Sequence, residues 1–228
     1  MYVTSIGIRW GWYNTRMYEI ESSTGYVLSY YNAGEADRRY KILTPERGIV
    51  IGTATSVRKE QSKLKYFLQR YNYVQFEYVH GKGGYRFTGG QLLDDTSRRL
   101  SRDALSVVAR ISLLVERLTQ DQDEETNLFE IMKDGINSLT IQSKFESEDI
   151  QNDESQITTI VQTLQAKEHW TVARVLVAFG YFDVGELPGI HPEIYQQSTL
   201  SDEDILLFIH HEKHLERYIR QCVTETML

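Results

Sequence analysis

Cysteine is nearly absent from these 228 residues: Cys222 stands alone. One thiol excludes an internal disulfide framework and a thiolate zinc cluster built from a single chain, and it suits a reducing compartment. Long apolar runs are also missing, since none approaches the roughly 20 residues that span a bilayer. The opening stretch, MYVTSIGIRWGWYNTRMYEI, lacks a basic start followed by an unbroken apolar segment, so no secretory signal is expected. A cytoplasmic protein is the expectation.

Catalytic signatures are scarce. There is no G-x-S-x-G, and Cys222 lies near the C-terminal end without a catalytic context. The glycines at 81, 83 and 84 around Lys82 do not match G-x-x-x-x-G-K-[ST], and no helical pattern follows them; they read as a hairpin turn. His210 and His214 have i, i+4 spacing, but residue 211 is histidine where H-E-x-x-H needs glutamate. A solvated helical face is the simpler account of them. Asp94 with Asp95, and Asp202 with Glu203 and Asp204, could hold a divalent cation, yet both sets stand at helix starts, where acids are favoured anyway. The expectation is no enzyme, no cofactor and no metal. A magnesium-dependent nuclease using those acids is the enzymatic alternative.

What is present is a divided charge. Residues 1–90 carry 13 Lys+Arg against 7 Asp+Glu, a net of +6, while residues 91–228 carry 12 against 25, a net of −13. Such a division suits a front end that meets a polyanion and a back end that is a solvated scaffold or meets another partner. Tyrosine is divided in the same way, with 12 of 15 in residues 1–90. Each has two readings: a strand-forming core residue, or an outward ring on which an unpaired base stacks.

Residues 25–31, 38–43, 49–55, 71–79 and 85–88 read as five short strands. In the second, Tyr40 and Ile42 alternate with Arg39 and Lys41. Pro45 and Gly48 close a hairpin behind it. Five strands in about 65 residues fit a small antiparallel barrel of the OB type. After Gly90 the period becomes helical, through Ala104, Val107, Val108, Ile111, Leu114, Val115 and Leu118. An acidic break at 121–125 precedes a second helix marked by Leu128, Phe129, Ile131, Met132 and Ile136. Residues 142–157 read as a polar mobile loop. Helical runs then start at Ile157 and Val172, with Gly180 as a stop. Ser201 reads as the N-cap before a last helix over 205–220. The fold class is therefore α+β: an extension over 1–23, a five-stranded OB barrel over 24–92, and a helical domain over 93–228.

The strongest local signal is basic. Arg58, Lys59, Lys63, Lys65 and Arg70 fall within 13 residues, opposed only by Glu60, and Arg38, Arg39, Lys41 and Arg47 precede them. Cations on a loop and an adjoining sheet face neutralise phosphates and release counterions. Tyr66, Tyr71 and Tyr73 are interleaved with them as candidate stacking rings. These twelve residues are the candidate DNA-binding set.

The same residues carry a resemblance. Gly34, Glu35, Ala36, Asp37 and Arg38 lie before a strand; Leu43, Thr44, Pro45, Glu46, Arg47 and Gly48 form the hairpin; Arg58, Lys59, Ser62, Lys63 and Leu64 form the basic loop; residues 74–84 follow. In that order they resemble the RecO family of bacterial recombination and repair mediators, over about residues 24–95. The likeness is weaker to about 140, through Phe129 and Glu130, and returns at VLVAFGY, residues 175–181. It implies an OB barrel with a helical domain, binding of single- and double-stranded DNA, strand annealing, and assistance in recombinase loading. It also implies a RecR-type partner, the acidic C-terminal tail of single-strand-binding protein, and a nucleoid-associated place in the bacterial cytoplasm. Two departures stand out. Many family members carry a four-cysteine zinc site after the Gly-Tyr segment, which here has no cysteine. About 23 residues also precede the first strand, and Met17 would make a family-like start. The competing reading is a barrel that binds an acidic partner tail and reaches DNA only through partners.

Overall fold

The computed structural model describes residues 19–81, 83–119, 127–146, 154–183, 185 and 189–225. Five strands, β1 (Ile20–Ala33), β2 (Asp37–Thr44), β3 (Gly48–Ala54), β4 (Tyr73–Gly81) and β5 (Gly84–Asp94), close into a barrel in the order β1-β2-β3-β5-β4. All pairings are antiparallel except β3 with β5, which is parallel. The short helix α1 (Leu64–Phe67) lies between β3 and β4. This is the OB arrangement expected from the strand spacing and from the resemblance.

Closure depends on β1. Its 14 residues are long enough to pair twice, with β4 through residues 20–26 and with β2 through residues 26–33. The register shifts between Val27 and Ser29, where the strand turns from one partner to the other. Side-chain alternation then divides the strand between two cores. Val27 joins Tyr40, Ile42, Val50, Val74, Phe76, Tyr78 and Phe87 inside the barrel, with Phe67 and Leu68 from the α1 segment. Tyr26, Leu28 and Leu43 face outward and join the helical core instead.

The helical part comprises α2 (Thr96–Arg99), α3 (Arg102–Leu118), α4 (Leu128–Glu146), α5 (Glu154–Ala178), a 3-10 turn (Pro192–Gln196), α6 (Asp202–His210) and α7 (Glu212–Glu225). Local chemistry sets most of their ends. Asp95 and Ser101 cap α2 and α3, and Ser201 with Asp204 forms a reciprocal capping box on α6. α5 ends where the Gly180 amide donates to the Val177 carbonyl and the Tyr181 amide to that of Leu176, with Gly180 at φ 74°. That is a Schellman ending, and the left-handed residue is the glycine expected to stop the helix.

Several boundaries differ from expectation. β1 begins at Ile20 rather than at residue 25, and β5 continues through Gly89 and Gly90 to Asp94. The runs from Ile157 and Val172 are one helix of 25 residues. The expected loop over 142–157 is helical at both ends, up to Glu146 and from Glu154. The last helix is two, interrupted at His211. The acidic break at 121–125, Met17, Lys82 and the first 18 residues lie outside the described residues. No described helix is long and apolar enough to cross a membrane.

Candidate nucleic-acid interface

Barrel closure lines up four side chains that are far apart in sequence. Tyr31 pairs with Arg39, Arg39 with Thr53, and Thr53 with Arg86, on β1, β2, β3 and β5 in turn. Arg39 and Arg86 are exposed, Thr53 is half-buried, and Tyr31 is 51% exposed. Adjacent strands lie about 4.8 Å apart. The two arginines, two strands apart, therefore rise from backbones about 10 Å from each other. Their alternation partners Tyr40 and Phe87 are buried in the barrel, which forces the guanidinium groups outward. The row ends in an exposed aromatic face.

A second group of cations gathers at the β1–β2 end. Arg38 Cζ is 4.3 Å and Arg70 Cζ 4.7 Å from the centre of the Tyr30 ring. The Arg38 side chain also donates to Asn32 Oδ1, and Arg70 to the Tyr30 carbonyl, both at 3.4 Å. The basic loop docks here as well. The Arg58 amide donates to the Ala36 carbonyl at 3.0 Å, its guanidinium to the Gly34 carbonyl at 3.3 Å, and the Ser56 amide to Asp37 Oδ1 at 2.7 Å. Val57, fully buried in the barrel core, pins the loop in place. Lys59 and Lys63 are exposed along it, and Lys65 Nζ lies 5.1 Å from the ring of Tyr66, itself 67% exposed. Among the described residues, Arg38, Arg39, Arg58, Lys59, Lys63, Lys65, Arg70 and Arg86 form no ion pair.

Four members of the sequence-derived set go elsewhere. Lys41 points to the helical domain and pairs with Glu116 of α3 at 2.9 Å. Arg47 lies on the β2–β3 hairpin, at the other end of β2, where it pairs with Glu21 at 2.6 Å and approaches the Tyr78 ring at 5.8 Å. Tyr71 and Tyr73 pack on the helical core. The Tyr73 ring lies 4.9 Å from Tyr26 and 6.1 Å from Phe129, and burial pushes the Tyr71 hydroxyl pKa up. Both are half-buried against the helices. Tyr30, Tyr31, Thr53 and Arg86 take part without having been singled out in the sequence. The outward alternation of Arg86 beside Phe87 was visible there, but its neighbour across the parallel pair was not.

The other motifs dissolve into structure. The helix break at His211 separates His210 from His214, and no group of three metal-ligating side chains occurs among the described residues. Asp94 accepts from Arg99 at 2.7 Å, Asp95 caps α2, and Asp204 belongs to the capping box. A four-cysteine zinc site does not fit this chain, whose one thiol, Cys222, is buried. After the Gly-Tyr segment, aromatic packing supplies the contacts: Phe182 lies 4.9 Å from Tyr218 and 5.9 Å from Tyr195.

Comparison with known proteins bears on the same barrel. Residues 17–95 match the family described as Recombination protein O N terminal. A protein named DNA repair protein RecO from Dehalococcoides mccartyi strain 195 is 30% identical over 107 residues, 46% of this chain and 42% of that protein. Proteins of the same name from strains CBDB1 and BAV1 are each 42% identical over 60 residues, 26% of this chain and 24% of theirs. In each case the match spans less than half of the relative's length.

Proposed function

From the match of residues 17–95 to the family described as Recombination protein O N terminal, we propose that this chain is a DNA-binding recombination mediator. It binds single and double strands, anneals complementary strands, and assists recombinase loading in DNA repair. The observation that carries the reading is the outward row Tyr31, Arg39, Thr53 and Arg86, flanked by the unpaired cations of the Arg58 loop. Phosphate contacts position a strand without reading its sequence. Cations on the barrel screen the repulsion between two phosphate backbones, and exposed Tyr31 and Tyr66 offer π-faces to unpaired bases.

No bond is made or broken in this role, and the chain is not an enzyme. Of the acids considered for a nuclease, Asp94 pairs with Arg99, Asp95 caps α2 and Asp204 belongs to the capping box. The partners are a RecR-type protein and the acidic tail of single-strand-binding protein, and the setting is the bacterial cytoplasm at the nucleoid. The name that the relatives carry, DNA repair protein RecO, supports the repair role.

The test is the double variant Arg39→Glu/Arg86→Glu, with single-strand affinity measured across salt concentrations. Losing two contacts lowers the slope of log K against log salt by about 1.4, at about 0.7 for each phosphate on a single strand. Reversing Arg58, Lys59, Lys63 and Lys65 removes the loop's share. Unchanged affinity and slope in both variants would sink the reading. Protein that retains an acidic-tailed partner but no oligonucleotide at low salt would instead mark a protein-interaction module.

A further inference from the structure

Beside the arginine row lies a groove of about 300 Å³ between the end of β3 and the β4–β5 hairpin, lined by Thr53, Thr55, Gly83, Gly84, Tyr85 and Arg86 among others. We propose that this groove seats one unpaired nucleobase of a single strand, so that the barrel holds DNA by a base as well as by phosphates. The proposal deepens the DNA-binding reading and rests on it.

The groove is built for such a guest in four respects. Its aromatic wall is held in one orientation. The Tyr85 ring meets Tyr78 edge-on at 5.1 Å and His80 at 5.2 Å, and its hydroxyl accepts from Arg47 Nη1 at 3.4 Å. A ring fixed by its neighbours costs little further ordering when a base stacks on it. Next, Thr53 and Thr55 contribute hydroxyls that make no side-chain hydrogen bond among the described residues. Hydroxyls donate and accept, so they match the polar edge of any base.

The glycines leave the hairpin side open. No heavy atom lies within 4 Å of where a Cβ would stand at Gly83 or Gly84, and Gly84 has φ 101°, a conformation that a side chain would strain. Last, Arg86 stands on the groove's rim, and Arg39 lies beyond Thr53 in the same cross-strand row. One arginine on each side of Thr53 suits a backbone whose phosphates flank the seated base. The volume is at the low end for a small-molecule site and admits a base, not a duplex. In a duplex the bases are stacked inside, and extruding one costs a few kcal/mol. The groove therefore confers a preference for single strands.

The experiment uses the full chain and an oligothymidylate carrying a single 2-aminopurine, read by fluorescence quenching and by anisotropy. Wild-type protein quenches the probe as the base stacks on Tyr85. Tyr85→Leu keeps apolar contact with Tyr78 but removes the stacking face. It weakens single-strand binding about 5- to 150-fold, abolishes quenching, and leaves the salt slope and duplex affinity unchanged. Circular dichroism confirms that the variant is folded. A ligand-side control needs no variant: wild-type affinity falls similarly for an oligonucleotide of abasic sites. Binding without quenching, together with equal affinity for the abasic strand, overturns the pocket. If Arg39→Glu/Arg86→Glu still weakens binding in that case, the DNA-binding reading survives without it. Absence of DNA binding by the wild type overturns both.

Discussion

His169 on α5 shows how a single side chain ties this fold to pH. Its Nδ1 is buried with no hydrogen-bond partner, and burial lowers its pKa below 6.5, more than the nearby Glu168, Glu212 and Glu216 raise it. The folded state therefore resists the proton that the unfolded chain accepts. Stability is unaffected above about pH 6.5 and falls as pH drops through that value. In His169→Gln, the loss of urea midpoint between pH 7.5 and 5.5 should be smaller than in wild type. An identical pH response would refute this account. Elsewhere in the helical core a buried charge is partly matched: Arg174 Nη2 pairs with Asp134 at 2.9 Å and its Cζ lies 4.6 Å from the Trp170 ring, while its Nε and Nη1 have no hydrogen-bond partner.

At the scale of elements, β5 holds the barrel together through two glycines. Gly90 has φ 147°, and a Cβ there would overlap the Gln75 carbonyl and come within 2.9 Å of the Phe67 ring. The strand passes this close to β4 only because no side chain intervenes. Gly90→Ala should destabilise the protein by about 2–3 kcal/mol, as backbone strain and overpacking combine. Urea unfolding monitored by circular dichroism measures it, and a midpoint within error of wild type would count against the close approach. The same glycines made β5 look shorter in sequence, since they interrupt its alternation. The break between α6 and α7 was hidden for the opposite reason. Apolar and polar residues continue through His211 without a glycine or proline, while in the fold Gly189 sits so close that its Cβ would lie 2.7 Å from the His211 ring. That contact is between residues 22 positions apart.

At the scale of the whole molecule, barrel and helices share a core. Tyr26 and Tyr73 from the barrel surround Phe129 of α4 at 5.7 and 6.1 Å, and Lys41 reaches Glu116 across the same boundary. The two parts should unfold together. Phe129→Ala is expected to cost about 3–5 kcal/mol, with tyrosine fluorescence and helical ellipticity lost at one denaturant concentration. Two separate transitions would show that the boundary is loose. This shared core also explains the division of charge. The barrel packs its apolar outer face on the helices, and among the described residues the helices supply an acid, Glu116, to one of the candidate cations.

The sequence by itself determined roughly where strands and helices lie, though not all their ends and breaks, because period, caps and turn chemistry are local. Tyr40 and Ile42 inward against Arg39 outward, Ser201 as a cap and Gly180 as a stop are all written within a few residues of where they act. It also determined the excess of cations in the front third. Only the tertiary structure decided which of them form a surface. Arg86 joins Arg39 because β5 runs parallel to β3, a pairing between segments more than 30 residues apart that no local pattern encodes. Arg47, which lies between the others in sequence, is carried to the opposite end of β2. Tyr71 and Tyr73 alternate like any exposed strand residue, yet both pack, half-buried, on the helical core. Periodicity says which side of a strand a residue occupies; what lies on that side is settled when distant elements pack.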